Sequence, residues 1–176
     1  MTTYIFYHLK LTPEQSTQRK QVLSVRIRGH RYTLKVVRPT YQNSGGKNFL
    51  HLFIWNVLSF FRFKEYQLID RKGKIVSYAQ LMPKIFIFSF MSKQGLHIGP
   101  CYTDEKQRGR GLYPELLKMI IQNEIKNDEF FIFTKKTNIA SQKGIIKAGF
   151  VPFGYGYKSK LGIYRISKMS IRSLKI

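Results

Sequence analysis

Residues 107–117 read QRGRGLYPELL and carry the densest chemical signal in the chain. Gly109 and Gly111 stand two apart between Arg108 and Arg110, and an apolar-periodic segment follows at once. The first amides of a helix have no intrahelical acceptor and carry the positive end of its dipole, so phosphate oxygens can take them. Glycines let that backbone come close, and Pro114 in the first turn gives up only an amide that would have had no partner. The pattern predicts a phosphate cradle. A Gly-x-Gly that opens a helix is also an ordinary tight turn, so the flanking elements have to decide.

Just upstream, residues 96–103 read as a strand that feeds this cradle, and they include His97, Cys101 and Tyr102. An imidazole ionises near neutrality and can move a proton there; a strand histidine that only hydrogen-bonds a neighbour is the alternative. Cys101 and Tyr102 point to opposite faces, so one of them at most looks into a cleft on a given side. Downstream, Leu112, Leu116, Leu117, Ile120, Ile121 and Ile125 recur at helical spacing. Residues 129–134, with FFIF, form a short run of buried-strand type. Asn138 is placed to cap a further helix that stops at Gly149.

The rest of the chain must position these parts. Residues 1–40 look β-rich, with 22–28 facing 32–37 across Gly29-His30 in a hairpin. Asn48 is a cap for a helix over residues 49–63, whose apolar run falls short of the ~20 residues that span a bilayer. It reads as a buried helix or as one resting on an anionic membrane surface. Strands follow at 65–70 and from 74 onward, joined by a turn at 70–73; Pro83 breaks the second, and 85–90 resume a β pattern. The final segment is a hairpin turning near 158–162. No internal repeat or low-complexity linker divides the chain, which predicts one α/β or α+β domain with a mixed sheet.

A formal net charge of +22 on 176 residues points to an anionic partner: a phosphorylated cofactor, a nucleotide-linked substrate, nucleic acid or an acidic lipid surface. A solubilising surface gives the same total. One cysteine excludes an internal disulfide framework and fits a reducing cytoplasm. No secretory signal pattern opens the sequence. No zinc-ligand spacing and no aromatic RNA-binding run are present, so metal is not indicated and nucleic acid is not favoured.

The order of parts, strand, glycine-arginine turn, helix, buried strand, then an Asn-led helix closing on Gly-Phe, resembles the GNAT family of acetyl-CoA-dependent N-acetyltransferases. The family's acyl-CoA signature, Arg/Gln-x-x-Gly-x-Gly/Ala, falls on Arg108, Gly109, Arg110, Gly111, Leu112 and Tyr113. The first and fourth positions match, and Tyr113 stands where a small residue is usual. The Asn-led helix lies on Asn138, Ser141, Gly149 and Phe150. The resemblance covers about residues 65–168 and leaves 1–40 as a β-rich extension atypical of the family. The Tyr113-Pro114 pair resembles members linked to surface-polysaccharide biosynthesis, whose acceptor is an amino sugar.

The resemblance implies a mostly antiparallel central sheet flanked by helices and splayed at the strand before the acyl-CoA loop. It implies acetyl-CoA as cosubstrate, its pantetheine arm along Ile98, Cys101, Tyr102 and Thr103, its pyrophosphate on the amides of Gly109, Arg110, Gly111, Leu112 and Tyr113. Arg108 and Arg110 add charge, and Asn138 and Ser141 are contacts on the far side. Gly99-Pro100 would help the strand part, since proline removes one ladder donor. The tyrosine that protonates the leaving thiolate in many relatives is replaced by Ile145. His97 and Tyr102 are the candidates for proton handling, with Cys101 a further donor and unaided positioning the simplest case. The expected activity is N-acetylation of a small-molecule primary amine, with a phosphate-bearing amino sugar favoured over a protein or other small amine. That places the protein in the cytoplasm, at the inner face of the membrane if it touches one. A non-catalytic GNAT-like binder of nucleic acid or membrane is the reading from a different class, motivated by Ile145 and by residues 130–176, which lack any acidic side chain.

Overall fold

Alternation of apolar and polar side chains sorts most strand segments onto two faces, and register follows from it. The computed structural model describes residues 2–18, 21–38, 57 and 62–167. In chain order the elements are β1 (Thr3–Lys10), α1 (Pro13–Thr17), β2 (Ser24–Ile27), β3 (His30–Val37), β4 (Lys64–Ile69), β5 (Ile75–Pro83), β6 (Leu96–Thr103), α2 (Leu112–Asn123), β7 (Glu129–Lys135), α3 (Ile139–Lys147), β8 (Val151–Lys158) and β9 (Tyr164–Ser167). The strands form one sheet in the order β2-β3-β4-β5-β6-β7-β1-β8-β9. Every neighbouring pair is antiparallel except β6 and β7. This is the mixed, mostly antiparallel α/β architecture expected.

The N-terminal segment is built into this sheet at two places. β1 runs between β7 and β8, pairing with both. Its Ile5 and Tyr7 join the core on one face while Phe6 meets Phe90 and Phe133 on the other, as a strand covered on both sides requires. The β2–β3 hairpin turns at Arg28-Gly29, both at positive φ, and extends the sheet beyond β4.

One face of the sheet carries α2 and α3. Leu112, Leu116, Leu117 and Ile120 are buried there against Leu68, Ala79, Leu81 and Ile98. Each such side chain contributes about 1.5–3 kcal/mol by leaving water. Just past α2, the buried Glu124 carboxylate accepts from the Tyr66 hydroxyl and from Lys64 Nζ, the latter at 2.6 Å, tying the helix end to β4. Ile125, expected on the apolar face, lies beyond the helix and is exposed.

The opposite face holds an aromatic cluster with Phe63, Met82, Ile85, Phe88, Met91 and Phe131. Residues 85–90, expected to be strand, are turns apart from one isolated bridge between Phe88 and Tyr164. Phe88 N donates to Ile85 O and Met91 N to Phe88 O, so the buried side chains recur every third residue. Apolar density there reflects a wrapped turn and not a period of two. Pro83 ends β5 as expected. The expected helix over 49–63, with its Asn48 cap, lies outside the described residues apart from positions 57, 62 and 63.

Candidate functional site

β6 and β7 set the site by failing to stay together. They pair in parallel only at Leu96↔Phe130 and His97↔Phe131. On its other side β6 remains paired to β5 as far as Thr103, across an irregularity that sets Gly99 and Pro100 against Gln80. From residue 98 to 103, then, the β7-facing edge of β6 presents main-chain groups with no ladder partner among the described residues. Such groups need an acceptor or donor from elsewhere.

The open edge runs straight into the cradle. Asp104 accepts from Lys106 N at 3.0 Å and from Lys74 Nζ at 2.5 Å, which starts a 3-10 turn over Glu105–Gln107. The Lys74 hydrogen bond, ahead of the Lys106 amide, holds the Asp104 carboxyl below its ordinary range. Arg108 folds back, with Nε on Thr103 O at 3.3 Å and Nη1 on Glu105 at 3.2 Å. Gly109 and Gly111 both have positive φ, 75° and 86°, and a β-carbon on either would meet open space. The lack of a side chain at both positions meets the demand of backbone conformation and leaves the main chain open to close approach. Gly111 begins α2 with no side-chain cap, so among the described residues the first amides of the helix are free at the positive end of its dipole.

Three side chains of the expected site meet beside this edge. Tyr113 crosses from α2 to α3, its hydroxyl 3.4 Å from Ser141 Oγ and within hydrogen-bonding reach of the Cys101 thiol. Burial, and then the neighbouring thiol, push the Tyr113 hydroxyl well above its ordinary value, so it keeps its proton. Burial pushes Cys101 up to about 12. Asn138 caps α3 by accepting from Ser141 N through its Oδ1 at 3.1 Å. Ile145, which the resemblance sets in place of a tyrosine, is fully buried in the core.

The other two candidates stand apart. Tyr102 alternates away from Cys101, as expected, and its exposed ring stacks on Tyr78 at 5.5 Å. His97 lies on the aromatic face, only 3% exposed, stacked on Phe88 at 4.3 Å. Neither ring nitrogen has a side-chain partner, and burial, offset slightly by its own main chain, pushes its pKa down to about 3. The near-neutral ionisation expected from sequence is therefore corrected: His97 is neutral and takes up no proton near pH 7.

Two features were missed. Gly144 on α3 makes room for the Tyr113 ring, a fit visible only once the helices are packed. Glu65, buried on the face opposite α2, accepts from Gln67 Nε2 at 2.9 Å and Gln80 Nε2 at 3.2 Å. Its signal was present in the alternation of KEYQLI, where Glu65 and Gln67 share one face and Tyr66 and Leu68 the other.

Solved structures share this architecture. An acetyltransferase of the GNAT family from Colwellia psychrerythraea superposes with a TM-score of 0.55 at 16% identity, over 86% of this chain and 53% of that one. The fold is that of the GNAT acetyltransferases. A GCN5-related N-acetyltransferase from Sphaerobacter thermophilus matches with a TM-score of 0.58 at 10% identity, over 88% of this chain and 49% of that one. Aminoglycoside acetyltransferase AAC(6')-Ib, solved with coenzyme A and kanamycin, matches with a TM-score of 0.54 at 15% identity, over 75% of this chain and 92% of that one. The chain spans 53%, 59% and 49% of the first three solved chains it matches. No protein-family model and no curated protein matches the sequence.

Proposed function

We propose that this chain is an acyl-CoA-dependent N-acyltransferase that moves an acetyl group from acetyl-CoA to a primary amine. The observation that carries the reading is the continuity of the unpaired β6 edge with the uncapped, double-glycine start of α2. Such a surface suits a long ligand with amides at one end and a diphosphate at the other. The amides of residues 109–113 would hold the diphosphate, and the β6 edge over residues 98–103 would hold the pantetheine amides.

Acetyl-CoA would supply the acetyl group as a thioester, the activated form an amine can attack. The chain's part is to place the reactants and to stabilise charge as it develops. A free β6 amide can donate to an oxyanion. Tyr113 holds its proton at Oη and can donate a hydrogen bond to a departing sulfur, the role left open by Ile145. Neutral His97 lies among aromatic rings on the other face of the sheet and is assigned no proton transfer at pH 7.

For the acceptor we favour the amino group of a nucleotide- or lipid-linked sugar in polysaccharide biosynthesis, a cytoplasmic reaction. The basic surface suits a phosphate-bearing acceptor, and one structural neighbour, an aminoglycoside acetyltransferase, was solved with coenzyme A and kanamycin. A polyamine would meet repulsion from a protein of charge +22. Calorimetry with acetyl-CoA tests the cofactor, with Gly109→Glu expected to abolish binding. No binding by the parent protein, or unchanged binding by Gly109→Glu, refutes the proposal. Mass spectrometry of products from amino-sugar nucleotides, peptides and polyamines then identifies the acceptor class.

A further inference from the structure

A second basic site adjoins the cradle and is built largely by two segments that the cradle does not use, with the Arg110 side chain shared at the border. The start of β3, the β4–β5 turn, and Gln107 and Arg110 converge on a cavity of about 210 Å³. His30, Arg31, Arg71, Lys72 and Arg110 line it, with Tyr32 buried alongside. Asp70 is its one carboxylate, and that group accepts the amides of Lys72 and Lys74 at 2.9 Å each. Among the described residues, the ion pairs found elsewhere include none of Arg31, Arg71, Lys72 or Arg110. Like charges gathered round one hollow repel unless an anion sits between them.

Arg110 separates the two sites. Arg108 is engaged by Glu105 and by a carbonyl, whereas the Arg110 side chain lines the cavity while its amide belongs to the cradle. Guanidinium groups match phosphate oxygens in pairs, and an ammonium adds a point charge, so the set suits a doubly charged phosphate monoester over a carboxylate. We propose that this cavity is a phosphate-monoester site distinct from the main-chain cradle, occupied by the 3′-phosphate of the same coenzyme. One ribose separates that phosphate from the diphosphate. The identity of the occupant rests on the acyl-CoA reading; the phosphate site does not.

The test titrates coenzyme A and 3′-dephospho-coenzyme A into the parent protein and into the Arg71→Ala/Lys72→Ala variant. Both changes fall on an exposed turn, and a thermal melt confirms folding. The parent should prefer coenzyme A by at least about tenfold. The variant should lose that preference while holding the dephospho form within about twofold of the parent. A parallel amide NMR titration with inorganic phosphate should shift residues 30, 31, 71 and 72 in the parent and leave the variant unmoved. Phosphate shifts without discrimination between the nucleotides uphold the site and overturn the coenzyme as its occupant. Phosphate shifts with neither nucleotide bound uphold the site and sink the acyl-CoA reading. Equal nucleotide affinities with no phosphate shifts overturn the site itself.

Discussion

Tyr113 on α2 occupies the space that Gly144 leaves on α3: a β-carbon at 144 would fall 2.5 Å from Cδ1 of the Tyr113 ring. The large residue in the cradle motif and the glycine in the middle of the second helix are thus two halves of one packing solution. Helix propensity alone would make Gly144→Ala stabilising by about 0.5–1 kcal/mol. We predict the opposite sign, a net loss of about 1–3 kcal/mol, because the ring must shift out of a packed contact. In a Tyr113→Ala background the same substitution should become neutral or stabilising. Urea unfolding of the four proteins measures the coupling, and a stabilised Gly144→Ala in the parent would contradict the fit.

His97 makes stability depend on pH in a stated direction. Its folded pKa, about 3, lies below the unfolded value near 6.5, so protonation favours the unfolded chain. The stability associated with the neutral ring is fully present above about pH 6.5 and is lost as pH falls toward 3, at up to about 1.4 kcal/mol per unit. His97→Leu, which leaves no unpartnered nitrogen among the phenylalanines, should flatten that slope and cost little at pH 7. Denaturation curves from pH 7 to 4 compare the two proteins. Parallel profiles would show that the histidine is not the titrating group.

The strand, the double-glycine turn and the helix were legible in the sequence because each is specified locally: β6 by alternation, the turn by glycines that need positive φ, α2 by its periodic apolar face. The Asn138 cap and the stop at Gly149 were legible for the same reason. What escaped depends on partners far away in the chain. Nothing in residues 3–10 says that they will lie between β7 and β8, since both neighbours follow more than a hundred residues later. Tyr113 was visible as an oddity, but the glycine that accommodates it lies on another helix. His97 stood as a candidate for proton handling, because residue type and strand position say nothing about the aromatic rings that fold over it. Residues 85–90 were misread because a short run of apolar side chains has no decisive period until its turns form.

Cys101 should be a poor nucleophile although it lies beside the open edge. Burial raises the thiol to about 12, and only the thiolate reacts. At pH 8 its alkylation should run roughly a thousandfold slower than that of an unperturbed cysteine with pKa near 8.5. Iodoacetamide labelling followed by mass spectrometry gives the rate against a denatured control. Tyr113→Phe should change it little, since burial is the larger cause of the shift. Rapid labelling of the folded protein would show that the edge is wetter than its packing implies.

The Tyr113 hydroxyl can be separated from its ring, and that separation tests the proposed chemistry. Tyr113→Phe keeps the volume that Gly144 accommodates and gives up only a long contact to Ser141, 3.4 Å, and the approach to Cys101. Stability should therefore fall by less than about 1 kcal/mol. If the hydroxyl donates to the departing sulfur, kcat should drop about 10- to 100-fold while KM for acetyl-CoA stays within about twofold. The raised pKa adds a second expectation: the parent's kcat should not decline on the alkaline side through pH 10, because the hydroxyl remains protonated there. Steady-state kinetics of both proteins across pH measure this directly. An unchanged kcat in Tyr113→Phe would remove the hydroxyl from the reaction and leave Tyr113 as packing alone.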